Sequence, residues 1–205
     1  MLLKMKEKIG LVVFVLFINS CIVDAQIESG VYDNGLKVAY NPSVSLLTAY
    51  YEGYSGYDES ADSPRFSCVF YIHGYMKDSI SEVETYFPLD KSEDLINGKI
   101  KLLKKNVVSI KLNSQHGGCW NVWNFSEDYT TFKLEKSNNW IEIRYINIEK
   151  AYFYSEKQEE TKRKAFVLKG DIVYIDKIED EWIHCSFYGK TVTKGWVKLE
   201  SVNQN

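Results

Sequence analysis

The chain has 205 residues, with 25 Lys and Arg against 28 Asp and Glu and a net charge of −3. It therefore lacks the basic stripe that nucleic acid or an anionic membrane surface requires. Its 15 tyrosines and 10 phenylalanines favour pleated, half-buried surfaces, where aromatic and β-branched residues pack best.

At the front, Lys4, Lys6 and Lys8 precede an apolar run from Ile9 to Ile18. That run is long enough for the core of a signal peptide and too short to span a membrane comfortably. Two processing sites compete. Ile18-Asn19-Ser20-Cys21 approximates a lipoprotein box, in which residues 1–20 leave and Cys21 is lipidated. Val23-Asp24-Ala25 has the small residues that ordinary signal peptidase prefers, with residues 1–25 removed. Either route predicts an exported protein, periplasmic or, with Cys21 lipidated, anchored at the outer membrane. Cleavage after Ala25 moves the net charge to −4, because three lysines and two acidic residues leave with the leader.

From residue 26 onward the dominant period is two. Tyr32-Asp33-Asn34-Gly35 carries an Asn-Gly pair that favours a tight hairpin. Strands are predicted at Val44 to Tyr54, Arg65 to Ile72, Ile80 to Phe87, Asn106 to Leu112 and Thr130 to Glu135, separated by Gly-, Asn-, Asp- or Ser-bearing turns. Asp90 to Asn97 predicts a helical turn that Gly98 would stop. In Trp140 to Ile146, Ile141, Ile143 and Tyr145 alternate with Glu142 and Arg144, the pattern of a half-buried strand. Residues 26–149 therefore read as an all-β domain, an antiparallel β-sandwich or a small β-barrel. Phrases such as Arg65-Phe66-Ser67-Cys68-Val69-Phe70-Tyr71-Ile72 resemble those of secreted bacterial β proteins without implying an activity.

The C-terminal stretch, 150–205, differs in character: residues 151–205 hold nine basic and nine acidic residues, so the charge excess lies in the first domain. Its landmarks are Leu168-Lys169-Gly170-Asp171 feeding Val173-Tyr174-Ile175, then Trp182, then Gly195-Trp196-Val197. In this order they resemble the bacterial SH3-type (SH3b) domain over roughly a quarter of the chain. The resemblance implies a small SH3-like barrel whose aromatic groove takes a peptide or a cell-wall component. The aromatics in matching places are Tyr154, Trp182, Tyr188 and Trp196. Gly189 to Gly195 is longer than the turn the family often has there.

Modules of this kind are often joined to wall hydrolases, and a hydrolase here would have to lie in residues 26–150. Cys68 falls in mid-strand, and Cys119 follows His116 across a Gly-Gly turn, so neither has the helix N-terminus that activates a nucleophilic thiol. The three histidines, His73, His116 and His184, lack zinc-protease spacing. Asp58-Glu59-Ser60-Ala61-Asp62 alternates like a calcium loop but lacks the glycine at the sixth position and the closing glutamate. No phosphate-binding glycine loop or serine elbow is present. These readings predict no cofactor and no metal.

For an exported chain, a Cys68–Cys119 disulfide is one expectation and two reduced, buried thiols the other. The function expected is that of a non-enzymatic envelope binding protein recognising a peptide, a cell-wall component or an envelope protein. An inhibitor or immunity protein acting on a hydrolase or toxin is the alternative, and a wall hydrolase the third.

Overall fold

A computed structural model describes residues 27–204. The leader, its two cleavage sites and the lipidation candidate Cys21 lie outside those residues. The protein is all-β, and its first part is a closed barrel rather than a sandwich. Eight antiparallel strands follow one another around it: β1 (Gly30–Tyr32), β2 (Leu36–Asn41), β3 (Leu46–Asp58), β4 (Ser63–Lys77), β5 (Ile80–Tyr86), β6 (Ile96–Lys104), β7 (Val107–Leu112) and β8 (Thr130–Ser137), which returns to pair with β1. The Asn34-Gly35 turn between β1 and β2 holds both residues at positive φ, 53° and 89°. That conformation is cheap for these two residue types.

The helical turn predicted around residues 90–97 is confined to α1 (Lys91–Asp94), and Gly98 is no helix stop. It lies inside β6, where a Cβ would come within 2.6 Å of the Lys111 carbonyl oxygen on β7. A glycine in a strand marks close backbone approach as readily as it marks a cap.

An eight-stranded barrel has an interior that side chains just fill, and this one is filled. Leu36, Leu47, Tyr51, Phe70, Ile110 and Phe132 are among the residues that form its core. The segment 113–129 folds back over one end and inserts His116, Cys119 and Phe125, which are buried in it. Phe125 meets Tyr51 and Phe70 edge-on, with ring centres 4.8 and 5.2 Å apart. A disulfide joins Cys119 of this plug to Cys68 on β4.

The second part is a six-stranded sheet in the order β11-β10-β14-β13-β12-β9. Five of its strands are β10 (Lys150–Tyr154), β11 (Lys162–Leu168), β12 (Ile172–Glu179), β13 (Trp182–Tyr188) and β14 (Val192–Lys198). The sixth, β9 (Glu142–Tyr145), comes from before the boundary expected at residue 149 and pairs with β12. The sheet has its own core of Ile146, Phe153, Val173, Ile183 and Val197. The turn expected from Gly189 to Gly195 is shorter than its sequence suggested. Pairing of β13 with β14 continues unbroken from Trp182↔Lys198 to Tyr188↔Val192, leaving only residues 189–191 outside the ladder.

β9 is not half-buried as its alternation implied, because both its faces are covered. Ile143 and Tyr145 join Ala39, Tyr71, Tyr86 and Tyr174 in a third core between barrel and sheet. Glu142 and Arg144, on the other face, are buried as an ion pair at 2.6 Å, and Arg144 also donates to the Asn203 carbonyl oxygen. The free edge of β9 is closed by side chains. The Ile143 N–H donates to Thr48 Oγ1 at 2.7 Å, and the Ile143 carbonyl accepts from the Tyr71 hydroxyl at 2.9 Å. The Tyr145 N–H donates to Asn203 Oδ1. An edge strand left open would template pairing with another chain; here barrel and tail occupy it.

Candidate ligand groove between barrel and sheet

The four aromatics singled out in the C-terminal part share the outer face of its sheet but do not meet in one groove. Tyr154 and Trp182 are buried, with ring centres 4.9 Å apart, edge to face. The Lys198 ammonium sits 4.0 Å from the Trp182 ring centre. Its other contact is Glu159, which also accepts from the Tyr154 hydroxyl. Burial, reinforced by that carboxylate, raises the Tyr154 pKa. Trp196 is half-buried beside His184, and the ammonium groups of Lys157 and Lys177 lie 5.6 and 5.9 Å from its ring centre. These rings are covered by the chain's own lysines, whose cations are attracted to aromatic faces.

Tyr188 lies six residues along β13 from Trp182, roughly 20 Å away at strand spacing. Its surroundings are different. Together with Trp140 and Tyr174 it forms an aromatic corner: Trp140–Tyr174 at 4.5 Å, Tyr174–Tyr188 at 5.1 Å and Trp140–Tyr188 at 6.1 Å between ring centres. Trp140 and Tyr174 are buried, whereas Tyr188 is 47% exposed. The corner faces the outside of the barrel, and a groove of about 230 Å³ runs between them, lined also by Val31, Lys37, Lys136 and Asn138.

Barrel closure assembles the opposite wall. Val31 on β1 is the cross-strand partner of both Lys37 on β2 and Lys136 on β8. Directly opposed residues in antiparallel pairs project from the same face, so the two lysines flank one valine. Lys37 is drawn aside to Glu52 at 3.4 Å. Lys136 forms no ion pair among the described residues, and no carboxylate lines the groove. Burial, followed by the charges of neighbouring Tyr50 and Glu52, pushes the Tyr174 hydroxyl well above the usual tyrosine range, so it stays neutral. The groove thus combines three aromatic rings, an amide and excess positive charge. Only Tyr188 of its lining was anticipated from sequence.

Two other places resemble sites. At the plugged end of the barrel, Asp94 Oδ2 lies 2.8 Å from His116 Nδ1, and His116 Nε2 lies 2.8 Å from Thr85 Oγ1. This has the membership of an acid–base–nucleophile relay, but a nucleophile must reach its substrate. Thr85 is fully buried and its hydroxyl also donates to the Ile96 carbonyl, while the His116 ring stacks on Phe70. Asp94 Oδ2 is already held by the Phe87 N–H at 2.7 Å, and it is out of line for a hydrogen bond with the imidazole. The His116–Thr85 hydrogen bond ties the plug to β5.

A larger depression of about 500 Å³ lies on the barrel's outer wall beside His73, Tyr75, Glu82, Glu84 and Asn97. Its carboxylates are exposed and bridged to Lys99 and Lys91 at 2.7 and 2.6 Å. Burial, then Lys91, lowers the His73 pKa. With one aromatic residue and paired charges, it offers a ligand less than the junction groove does.

The acidic loop does not gather its carboxylates around one point. Asp58 accepts from the Ser60 N–H and hydroxyl and from Arg65, and Asp62 accepts from Tyr57. Among the described residues no three His, Cys, Asp or Glu side chains converge as a metal site would require. Comparison of the chain with family models, curated proteins and solved structures finds no match. The fold and groove define a two-part all-β protein with its concave aromatic surface at the seam.

Proposed function

We propose that the protein is an exported, non-enzymatic binding protein of the bacterial cell envelope. In this reading an SH3-like C-terminal module and the eight-stranded barrel hold a wall component between them. The observation that carries it is the junction groove, where Trp140, Tyr174 and Tyr188 oppose Val31, Lys37 and Lys136. Small-ligand sites favour such places, concave and aromatic, with a few polar groups that fix orientation. The basic leader and its apolar run support export. The test is retention of the full mature chain by purified, insoluble wall polymer. Tyr188→Ala, which removes the half-exposed ring, should reduce retention at least tenfold while the protein stays folded, as its cooperative melting checks; equal retention of both proteins would refute the assignment to this groove.

A second reading, that of an inhibitor, is favoured by the β3–β4 ribbon. Beyond Tyr51 and Tyr71 these strands pair only with each other; Phe70 and Cys68 are still buried at the base, so about five residues of each stand clear of the barrel, roughly 16 Å at strand spacing. Tyr57 on the ribbon and Trp120 on the plug at its base are 62% and 66% exposed. The disulfide braces that base. Rigid, aromatic projections suit insertion into an enzyme cleft. Inhibition of an envelope hydrolase that survives Tyr57→Ala combined with Trp120→Ala would exclude the ribbon as the inhibitory element.

A further inference from the structure

Resting on the groove reading above, we infer that the junction groove selects a single sugar ring bearing a carboxylate. Three observations lead there. The first is size: about 230 Å³ lies below the roughly 300–1,000 Å³ of pockets that take whole drug-sized ligands. One six-membered ring fits, and the rest of a polymer must run out into solvent past exposed Tyr188.

The second is the character of the walls. Buried Trp140 and Tyr174 brace Tyr188 edge to face, with ring centres 6.1 and 5.1 Å away, so the half-exposed Tyr188 ring supplies the face on which the C–H face of a sugar can lie. Polar partners sit at the rim: Asn138 donates through Nδ2 to the Lys136 carbonyl, which leaves its side-chain oxygen to accept from a hydroxyl.

The third is charge. Lys37 and Lys136 stand on either side of Val31 in neighbouring strands, about 10 Å apart at backbone level, twice the inter-strand spacing. Between them the groove has no carboxylate of its own. Lys37 is shared with Glu52, so Lys136 is the ammonium that a ligand anion meets. A carboxylate attached to the bound ring gains a charge-assisted hydrogen bond there, and such bonds are the stronger kind. A neutral ring with the same face makes the stacking contact alone.

The experiment is NMR titration of the full mature chain, following its tryptophan indole resonances, with three probes used singly. These are N-acetylmuramic acid, N-acetylglucosamine, which has the same ring without the lactyl carboxylate, and benzoate, an aromatic acid without a sugar. The expected result is saturable binding of N-acetylmuramic acid at least tenfold tighter than of N-acetylglucosamine. Lys136→Gln should bring the two sugars to within about twofold of each other, and Tyr188→Ala should weaken both. Equal binding of the two sugars to the unmodified chain would overturn the charge selection while leaving the groove as a ring-binding site. Benzoate binding with neither sugar bound would overturn the sugar assignment. If no probe shifts the indole resonances, the inference and the groove reading fall together. Because Lys136 is exposed on the barrel wall, Lys136→Gln is not expected to unfold the protein, and an unchanged melting temperature checks this.

Discussion

Removing the disulfide measures how firmly the plug and the ribbon are tied to the barrel. The bridge joins Cys68 to Cys119 across 51 residues of sequence. A cross-link stabilises mainly by denying the unfolded chain its loop-closure freedom, and for a loop of this length the chain-entropy relation gives about 4 kcal/mol. The expected loss in Cys68→Ala/Cys119→Ala is therefore about 4 kcal/mol. For a chain of this size that corresponds to a fall of roughly 8–16 °C in melting temperature. Both sulfurs are buried, so alanine is preferred to serine, whose hydroxyl would be stranded without a partner. Urea unfolding of the wild type, the double variant and the reduced wild type is the assay. The reduced wild type keeps both sulfurs, so it separates loss of the link from loss of packing. A loss below about 1 kcal/mol in the reduced protein would refute the reasoning. It would mean that segment 113–129 stays close to β4 in the unfolded ensemble, leaving the bridge little freedom to remove.

Two further outcomes test the seam and the surface. Tyr71→Phe leaves the buried Ile143 carbonyl without its 2.9 Å hydroxyl donor, and Thr48→Val leaves the Ile143 N–H without its 2.7 Å acceptor. Each should cost about 1–3 kcal/mol in urea unfolding, the range for a buried polar group losing its partner. Because both act on one residue, the double variant should deviate from the sum, and strict additivity would argue against a shared seam. On the surface, hydrogen bonds from Lys157 and Lys177 lower the Glu179 pKa to about 2 from the usual glutamate range. A depressed carboxylate stabilises the fold above its unfolded value, and that contribution disappears as pH falls towards the folded one. NMR titration should place the Glu179 midpoint near 2; a midpoint in the ordinary glutamate range would show that the lysines do not hold it.

Much of the strand pattern was legible because a period of two survives whenever one face is buried and the other wet. Val44 to Tyr54, Ile80 to Phe87 and Asn106 to Leu112 contain most of β3, β5 and β7. β6 was missed because Gly98 and the polar residues before it look like a helix end, and its reason for being glycine lies on another strand, at Lys111. β9 was placed in the wrong sheet. Its alternation of Ile143 and Tyr145 with Glu142 and Arg144 says that the faces differ, not which neighbour covers each. Arg144 and Glu142 neutralise each other, so both can be buried, and that depends on partners rather than period. Most of the groove was equally hidden. Lys37 and Lys136 are far apart in sequence and become neighbours only through Val31, when β8 closes on β1. Trp140 and Tyr174 read as ordinary strand residues, and it is the docking of two sheets that gives them a common corner. Tyr188 is singled out in the sequence by its place in the SH3-type pattern, and the structure sets it in the lining of the groove.

The same docking bears on how the groove would work. One wall belongs to β1, β2 and β8 of the barrel and the other to β12, β13 and the segment before β9, so its width depends on the seam. That seam is fixed by a buried aromatic core and by hydrogen bonds from both sides of Ile143. Trp140 and Tyr174 are held by burial, so neither must be ordered when a ligand arrives. Preorganisation of this kind reduces the entropy that binding must overcome. Tyr188 and Lys136 are the exposed members of the lining, and ligand-induced rearrangement is expected to be confined to them. Seam variants such as Tyr71→Phe should therefore weaken ring binding without touching a ligand contact. Tyr188→Ala should weaken it while costing only about 0.5–1.5 kcal/mol for each lost ring contact, and this different balance separates a wall that positions from a ring that touches.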